Sequence, residues 1–136
     1  MRIMSIDMGE NTGIVCFSYE IDLVSPILLY FSGTVESYKC FDLIATYRPE
    51  IILLEKFPEK NSLSDDIYRD YLNVNYLDQT FLVAPVLWKP IARKKKWKLL
   101  FKGTKHEQDA FNMARYYIFS QHRKDVLKGK AIQWTA

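Results

Sequence analysis

The sequence predicts a single mixed α/β domain, and three observations carry this prediction. Three strand patterns follow one another within the first 35 residues, with the short connections typical of an antiparallel meander. The continuous apolar run at residues 51–54 (IILL) is typical of a central strand covered on both faces. Farther along, apolar residues repeat at the spacing of one helix face, at Ala110, Met113, Ala114, Tyr117 and Ile118. A length of 136 residues suits one domain.

The first part of the chain predicts four strands and one helix. Residues 8–13 (MGENTG) form a glycine-containing turn between the first two strands. Pro49 ends the helix, because proline cannot continue a helical hydrogen-bond ladder. The predicted strands are residues 2–7, 14–19, 27–35 and 51–54, and the predicted helix spans residues 37–47.

The second part predicts three helices and a fifth strand. Ser64 is a suitable N-cap for a helix that runs to about Tyr76, after a loop at residues 57–63. Residues 80–86 form a strand near a sheet edge, because the proline at position 85 cannot donate to a ladder. Pro90 suits the first turn of a helix that ends near residue 101, and the last helix begins near Thr104. The predicted order is β-β-β-α-β-α-β-α-α.

Composition excludes several classes of protein. Hydrophobic residues make up 49% of the chain and charged residues 26%, so a buried core is expected and a disordered tail is not. No apolar run reaches the length of a membrane helix, and no secretory signal pattern opens the sequence. We therefore expect a soluble, cytoplasmic protein. Cys16 and Cys40 belong to no paired motif and are expected to be buried free thiols.

Charge is distributed unevenly along the chain. Up to Trp88 there are 6 basic and 13 acidic residues, whereas from Lys89 onward there are 13 basic and 3 acidic residues. Such asymmetry favours contact with a phosphate backbone, although a run of charges can also be a solvated helix face.

Four side chains are placed where they could form a catalytic site. Asp7 and Glu55 each follow an apolar strand, and parallel neighbouring strands would bring them together at one edge of the sheet. His106 and Asp109 lie one helical turn apart at the start of the last helix. Converging carboxylates and an imidazole suit two Mg²⁺ or Mn²⁺ ions. Taken singly, each residue also has a structural explanation: a turn cap, a salt bridge or a favourable helix terminus.

At these positions the chain resembles the RuvC-like Holliday junction resolvases of the ribonuclease H-like superfamily, including phage-encoded members. Residues 3–13 (IMSIDMGENTG) resemble the first family motif, residues 51–55 (IILLE) the second, and residues 105–110 (KHEQDA) the third. The resemblance implies a five-stranded mixed sheet in the order 3-2-1-4-5, flanked by helices. It also implies a metal-dependent endonuclease that hydrolyses branched DNA, Holliday junctions above all.

The resemblance assigns roles to individual residues. Asp7, Glu55 and Asp109 become metal ligands, and His106 becomes a ligand or a helper at the scissile phosphate. Phe57, two positions after the glutamate, is the candidate for the aromatic residue that opens the junction. A homodimer with two sites is implied, although the acidic region after Glu55 departs from the family. The basic segment, residues 88–105, supplies phosphate contacts and aromatic platforms. The candidate DNA-binding residues are Lys56, Phe57, Trp88, Lys89, Arg93, Lys94, Lys95, Lys96, Lys98, Lys102 and Lys105.

Three other functions remain open at this point. A less selective flap or branched-DNA endonuclease would carry the same motifs, because selectivity arises from dimer geometry. A non-catalytic nucleic-acid-binding module would need only the basic segment. An ATP-binding protein of the actin-like superfamily would share the Asp7-Met8-Gly9 turn but needs two such domains. A proofreading-type exonuclease is disfavoured, because Gly9 stands where that class has a glutamate.

Overall fold

A mixed sheet of six strands forms the centre of the part that a computed structural model describes, residues 1–9, 11–55, 75–98 and 100–135. Along the sheet the order is β5-β4-β1-β2-β3-β6. The β1–β4, β4–β5 and β3–β6 pairs are parallel, and the β1–β2 and β2–β3 pairs are antiparallel. The strands are β1 (Arg2–Asp7), β2 (Asn11–Ser18), β3 (Ile27–Glu36), β4 (Ile51–Glu55), β5 (Thr80–Val83) and β6 (Ile132–Trp134).

The predicted strand order is confirmed for the first five strands, and the strand count is corrected from five to six. The additional β6 lies beside β3, where Ile132 is paired with Ile27. A strand of three residues is too short for a periodic pattern to reveal. A second difference is that β2 begins at Asn11 and not at residue 14, because Thr12 continues the ladder by pairing with Val35 of β3.

Three helices cover the sheet in the described residues: α1 (Cys40–Tyr47), α2 (Pro85–Lys94) and α3 (Lys105–His122). Alternate residues of β1 and β4 point to opposite faces of the sheet. Ile3 and Leu53 belong to the core on the side of α2 and α3, whereas Met4 and Ile52 belong to the core on the side of α1. Since both faces of β4 are covered, its first four residues, 51–54, are all apolar.

The predicted boundaries of the strand and of the helix within residues 80–101 are wrong. The strand ends at Val83, and Pro85 occupies the first turn of α2 after an extended Ala84. Pro90, the predicted helix start, lies inside α2, which ends at Lys94 and does not reach residue 101. Both prolines suit a first turn because their fixed backbone angle and missing N–H are tolerated there. The helix therefore starts five residues earlier than the pattern indicated.

Other predictions have mixed outcomes. Cys16 and Cys40 are buried free thiols as predicted, and burial raises the pKa of each to about 12. The loop predicted at residues 57–63 and almost all of the helix predicted at residues 64–76 lie outside the described residues. Among the residues that the structure describes, no helix combines the length and apolarity needed to cross a membrane.

Candidate active site

Two carboxylates lie side by side at the carboxyl ends of β1 and β4. These strands run parallel, with Ile6 paired to Leu54, so the next residues, Asp7 and Glu55, emerge together. Both residues are only 7% exposed. The sequence prediction that the two acids meet at one sheet edge is therefore confirmed.

Burial makes this pair electrostatically costly. The pKa of Glu55 is raised from 4.5 to about 9, first by burial and then by the hydrogen bond and negative charge of Asp7. Among the described residues, Oε1 of Glu55 has no hydrogen-bond partner. A buried anionic oxygen without a partner is unfavourable unless a cation or a proton compensates it. The chemistry of the pair thus points to an external positive charge.

The N-terminus of α3 brings a third carboxylate to the same place. Burial raises the pKa of Asp109, and the charge of Asp7 raises it further, whereas Lys89, Lys105 and His106 lower it. The charge of Asp109 in turn contributes to the raised pKa of Glu55. The three acids therefore share one electrostatic environment, although they come from three separate elements.

His106 contacts the cluster directly. Its Nδ1 lies 3.3 Å from Oδ2 of Asp7, and its side chain is 51% exposed. Because a carboxylate can only accept, Nδ1 carries the proton in this contact, and the other ring nitrogen is left for a ligand or substrate. The imidazole thus lies at the border between the buried acids and solvent.

A dense set of contacts fixes the start of α3 against β2 and β3. Thr104 caps the helix in a reciprocal capping box with Glu107. The buried Glu107 carboxylate also accepts a hydrogen bond of 2.6 Å from Ser32 Oγ on β3. Gly13 of β2 lies so close that an added Cβ would be 2.3 Å from the carbonyl oxygen of His106. These contacts place His106 and Asp109 over the ends of β1 and β4.

The four side chains do not form a ready-made metal cage. Within the described residues, no three His, Cys, Asp or Glu side chains are grouped closely enough to hold an ion on their own. Mg²⁺ does not require such a cage, because it is usually bound by one or two carboxylates together with water and substrate phosphates. The donor set of buried carboxylates, with the unpartnered Glu55 oxygen, fits a hard divalent cation of this kind.

Among the described residues, Lys89 of α2 is the one cation whose charge acts on both Glu55 and Asp109. Its charge lowers the pKa values of both Glu55 and Asp109. Its ammonium group also lies 5.5 Å from the ring centroid of Trp88.

Trp88 itself is 2% exposed, so the prediction of an aromatic platform for DNA at this position is wrong. Its side chain packs in the core because α2 begins five residues earlier than predicted.

The other predicted DNA-binding residues, and Trp97 of the basic segment, are not buried like Trp88, or they lie outside the described residues. Lys56 and Phe57 lie outside the described residues. Trp97 is half-buried, and its indole N–H donates to Asp125 over 3.2 Å. The remaining cations of the basic segment are exposed, namely Lys89, Arg93, Lys94, Lys95, Lys96, Lys98, Lys102 and Lys105.

Three residues were not recognised from the sequence: two that position the start of α3, and one that lines a cavity beside Asp109. Gly13 stood within a quoted motif, but only the structure reveals its contact with α3. Glu107 gave a visible signal, since Thr104-x-x-Glu107 is a capping-box pattern. Asn112, which lines the cavity, gave no signal in the sequence, because a polar residue on a helix is normally interpreted as part of the solvent-exposed face.

Comparison with known proteins supplies structural neighbours at low sequence identity. No family model and no curated protein sequence matches the chain. Thermus thermophilus RuvC matches with a TM-score of 0.63 and 14% identity over 90% of this chain and 96% of that chain, alone and in complex with a Holliday junction substrate. The Fowlpox virus resolvase in complex with Holliday junction DNA matches with a TM-score of 0.60 and 17% identity over 87% of this chain and 99% of that chain. The chain therefore has the ribonuclease H-like fold of these resolvases, as the sequence motifs predicted.

Proposed function

We propose that the chain is a metal-dependent endonuclease that hydrolyses phosphodiester bonds in branched DNA, with four-way Holliday junctions as its main substrate. The observation that carries the proposal is the buried pair of Asp7 and Glu55, whose charges lie beside Asp109 and His106. The similar solved structures include two resolvases bound to Holliday junction DNA, which supports the same substrate class.

Asp7, Glu55 and Asp109 are the residues that would hold Mg²⁺ or Mn²⁺, with His106 as a further ligand or as a neighbour of the bound phosphate. When bound, a pair of such ions neutralises phosphate charge and activates water for in-line attack. In the absence of a cation, the raised pKa of Glu55 keeps a proton on its carboxyl group at neutral pH. Binding of a cation therefore competes with this proton.

The remaining residues of the site position the substrate and move protons. Asp7 orients the ring of His106 through Nδ1. In its imidazolium form the ring also carries a proton on Nε2, which can donate to the scissile phosphate or protonate the leaving oxygen. Lys89 offsets part of the negative charge that the acids and the phosphate bring together. The exposed cations of the basic segment contact neighbouring phosphates and fix the register of the strand without reading sequence.

Resolution of a four-way junction also requires a second site. Two nicks at symmetric positions are needed, and the described residues contain one cluster of Asp7, Glu55, His106 and Asp109. The simplest arrangement with two sites is a two-fold homodimer. We include this homodimer in the proposal, and we keep the sequence-based assignment of Phe57 as the aromatic residue that opens the junction.

The test compares four-way, flap and linear DNA substrates in Mg²⁺, Mn²⁺ or EDTA, with light scattering to measure the mass of the protein alone and on DNA. We expect metal-dependent paired nicks in the four-way substrate and a dimer on the junction. Binding without cleavage in either metal would favour the non-catalytic module. A strict monomer that makes single uncoordinated nicks would leave a general branched-DNA endonuclease.

A further inference from the structure

A cavity of about 540 Å³ lies between α2 and α3 and opens beside Asp109. Its volume falls within the range of small-molecule pockets, roughly 300–1,000 Å³. Trp88 and Asn112 are its buried lining residues that carry polar side-chain atoms, and the half-buried indole of Trp97 forms an aromatic wall. Apart from Ala92 and Asp109, the rest of the lining consists of four lysines and one arginine, all exposed.

Two buried polar atoms in this lining lack partners. Within the described residues, neither Nε1 of Trp88 nor Oδ1 of Asn112 has a hydrogen-bond partner. Trp88 is 2% exposed and Asn112 is 9% exposed. Buried polar atoms in proteins are nearly always paired, because leaving one unpaired lowers stability. A ligand that enters the cavity and satisfies both atoms would explain why polar groups are kept there.

The chemistry of the two atoms selects the ligand. The indole N–H of Trp88 is a donor that needs an acceptor, and Oδ1 of Asn112 is an acceptor that needs a donor. A phosphate group offers only acceptors at neutral pH, so it suits the exposed cations but leaves Oδ1 of Asn112 without a donor. The edge of a nucleobase offers donors and acceptors side by side, and asparagine amides pair well with such edges. Indole rings such as that of Trp97 are common stacking partners of bases.

We propose that this cavity receives one nucleobase of the strand being cut, and that Asn112 together with Trp88 selects which base enters. The inference rests on the proposed nuclease function, since Asp109 belongs both to the cavity and to the candidate metal site. The base would belong to a nucleotide close to the scissile phosphate. It must leave the helical stack to enter, which costs least where a branch has already unpaired it.

The test uses a pool of four-way junctions with randomised bases around the branch point. The bound fraction is sequenced after selection in EDTA, and the cleaved fraction is sequenced after reaction in Mg²⁺. We expect the wild-type protein to prefer one base at one position by about tenfold or more, as expected for good base contacts. Asn112→Leu should reduce this preference to less than about twofold, a loss that matches removal of one such contact.

Gln108→Ala is the matched control, because Gln108 carries an exposed amide on the same helix and does not line the cavity. This variant should keep the preference of the wild-type protein. Trp88→Phe keeps a buried ring and removes only the N–H, so it should also weaken the preference. It serves as the second variant if Asn112→Leu fails to fold.

Thermal stability separates recognition from a structural role. Asn112→Leu should melt at or above the wild-type temperature, because it replaces an unpaired buried atom with an apolar group of similar size. A lower melting temperature with an unchanged base preference would show that Asn112 is structural and would overturn the inference. Wild-type protein that cleaves junctions with no base preference would also overturn it and leave the nuclease function intact. A protein that neither binds nor cleaves branched DNA would refute the proposed function itself.

Discussion

The carboxylate cluster at the sheet edge and the basic segment differ in how their charges are held. Asp7 and Glu55 are buried at strand ends, and the charge of Asp7 raises the pKa of both Glu55 and Asp109. The exposed cations of the basic segment are solvated and screened by salt. Substitutions in the cluster should therefore have large, interdependent effects, whereas those in the basic segment should have smaller effects that depend on ionic strength.

The largest effect is expected from Asp7→Asn. The variant removes the charge that Glu55, Asp109 and His106 all experience, so cleavage should fall by about a thousandfold or more, the scale of losing a principal catalytic group. DNA binding in EDTA should remain. Single-turnover cleavage of a four-way junction measures the loss, with Asp42→Asn on the exposed side of α1 as the control. Cleavage above a few per cent of the wild-type rate would remove Asp7 from the catalytic set.

The second effect tests the basic segment. Replacing Lys94, Lys95 and Lys96 with Glu should weaken binding to every DNA structure by about 10- to 100-fold at moderate salt. The slope of log affinity against log salt should become shallower by roughly 0.9 for each lost phosphate contact. Lys39→Glu, beside α1 on the other face of the sheet, should change neither quantity appreciably. An unaltered salt slope in the triple variant would show that these lysines face solvent in the complex.

A third prediction concerns the contact between β2 and the start of α3, the helix that carries His106 and Asp109 of the cluster. Gly13→Ala would place a Cβ against the backbone of His106, so the start of α3 must shift away from β2. We expect a stability loss of about 1–3 kcal/mol, typical of overpacking, together with loss of cleavage. In Gly9→Ala the added Cβ would lie 3.4 Å from Asn11 O, and little destabilisation is expected. Thermal melting and cleavage measure both variants, and equal melting temperatures would refute the close approach.

The fourth prediction uses the raised pKa of Glu55. Because the pKa is about 9 in the folded protein and 4.5 for an ordinary glutamate in water, the folded state holds the proton more tightly than the unfolded state. The tighter proton binding by Glu55 in the folded state therefore stabilises the fold. This stabilisation is fully present below about pH 4.5 and is lost as the pH rises towards 9. In EDTA, the melting temperature should fall over that range, and Glu55→Gln should reduce the fall.

At pH 8 the Glu55→Gln variant should melt about 5 °C or more above the wild-type protein, a few kcal/mol for a domain of this size. Glu20→Gln at an exposed position is the control and should follow the wild-type curve. If the melting temperatures of Glu55→Gln and wild-type protein changed with pH in parallel, the carboxyl group of Glu55 would be solvated. Mg²⁺ should raise the melting temperature of the wild-type protein at this pH, because it replaces the proton as the compensating charge.

The sequence predicted those parts of the site that depend on local patterns. Asp7 and Glu55 were found because each ends an apolar strand, and strand pairing then brings them together. The start of α2 was misplaced because Pro85 and Pro90 satisfy the same local rule, and tertiary packing of Trp88 decides between them. The cavity beside Asn112 was not predicted, since it exists only where two helices distant in sequence meet.

The short strand β6 has a consequence for how two copies of the chain can associate. An open sheet edge presents unpaired N–H and C=O groups that a second chain can extend. Pairing of Ile132 with Ile27 and of Trp134 with Leu29 occupies one end of the β3 edge. At the opposite edge, β5 has only four residues. A second copy therefore cannot extend the sheet at the end of β3 that β6 occupies. Removing residues 132–135 should expose this end and promote edge-to-edge aggregation.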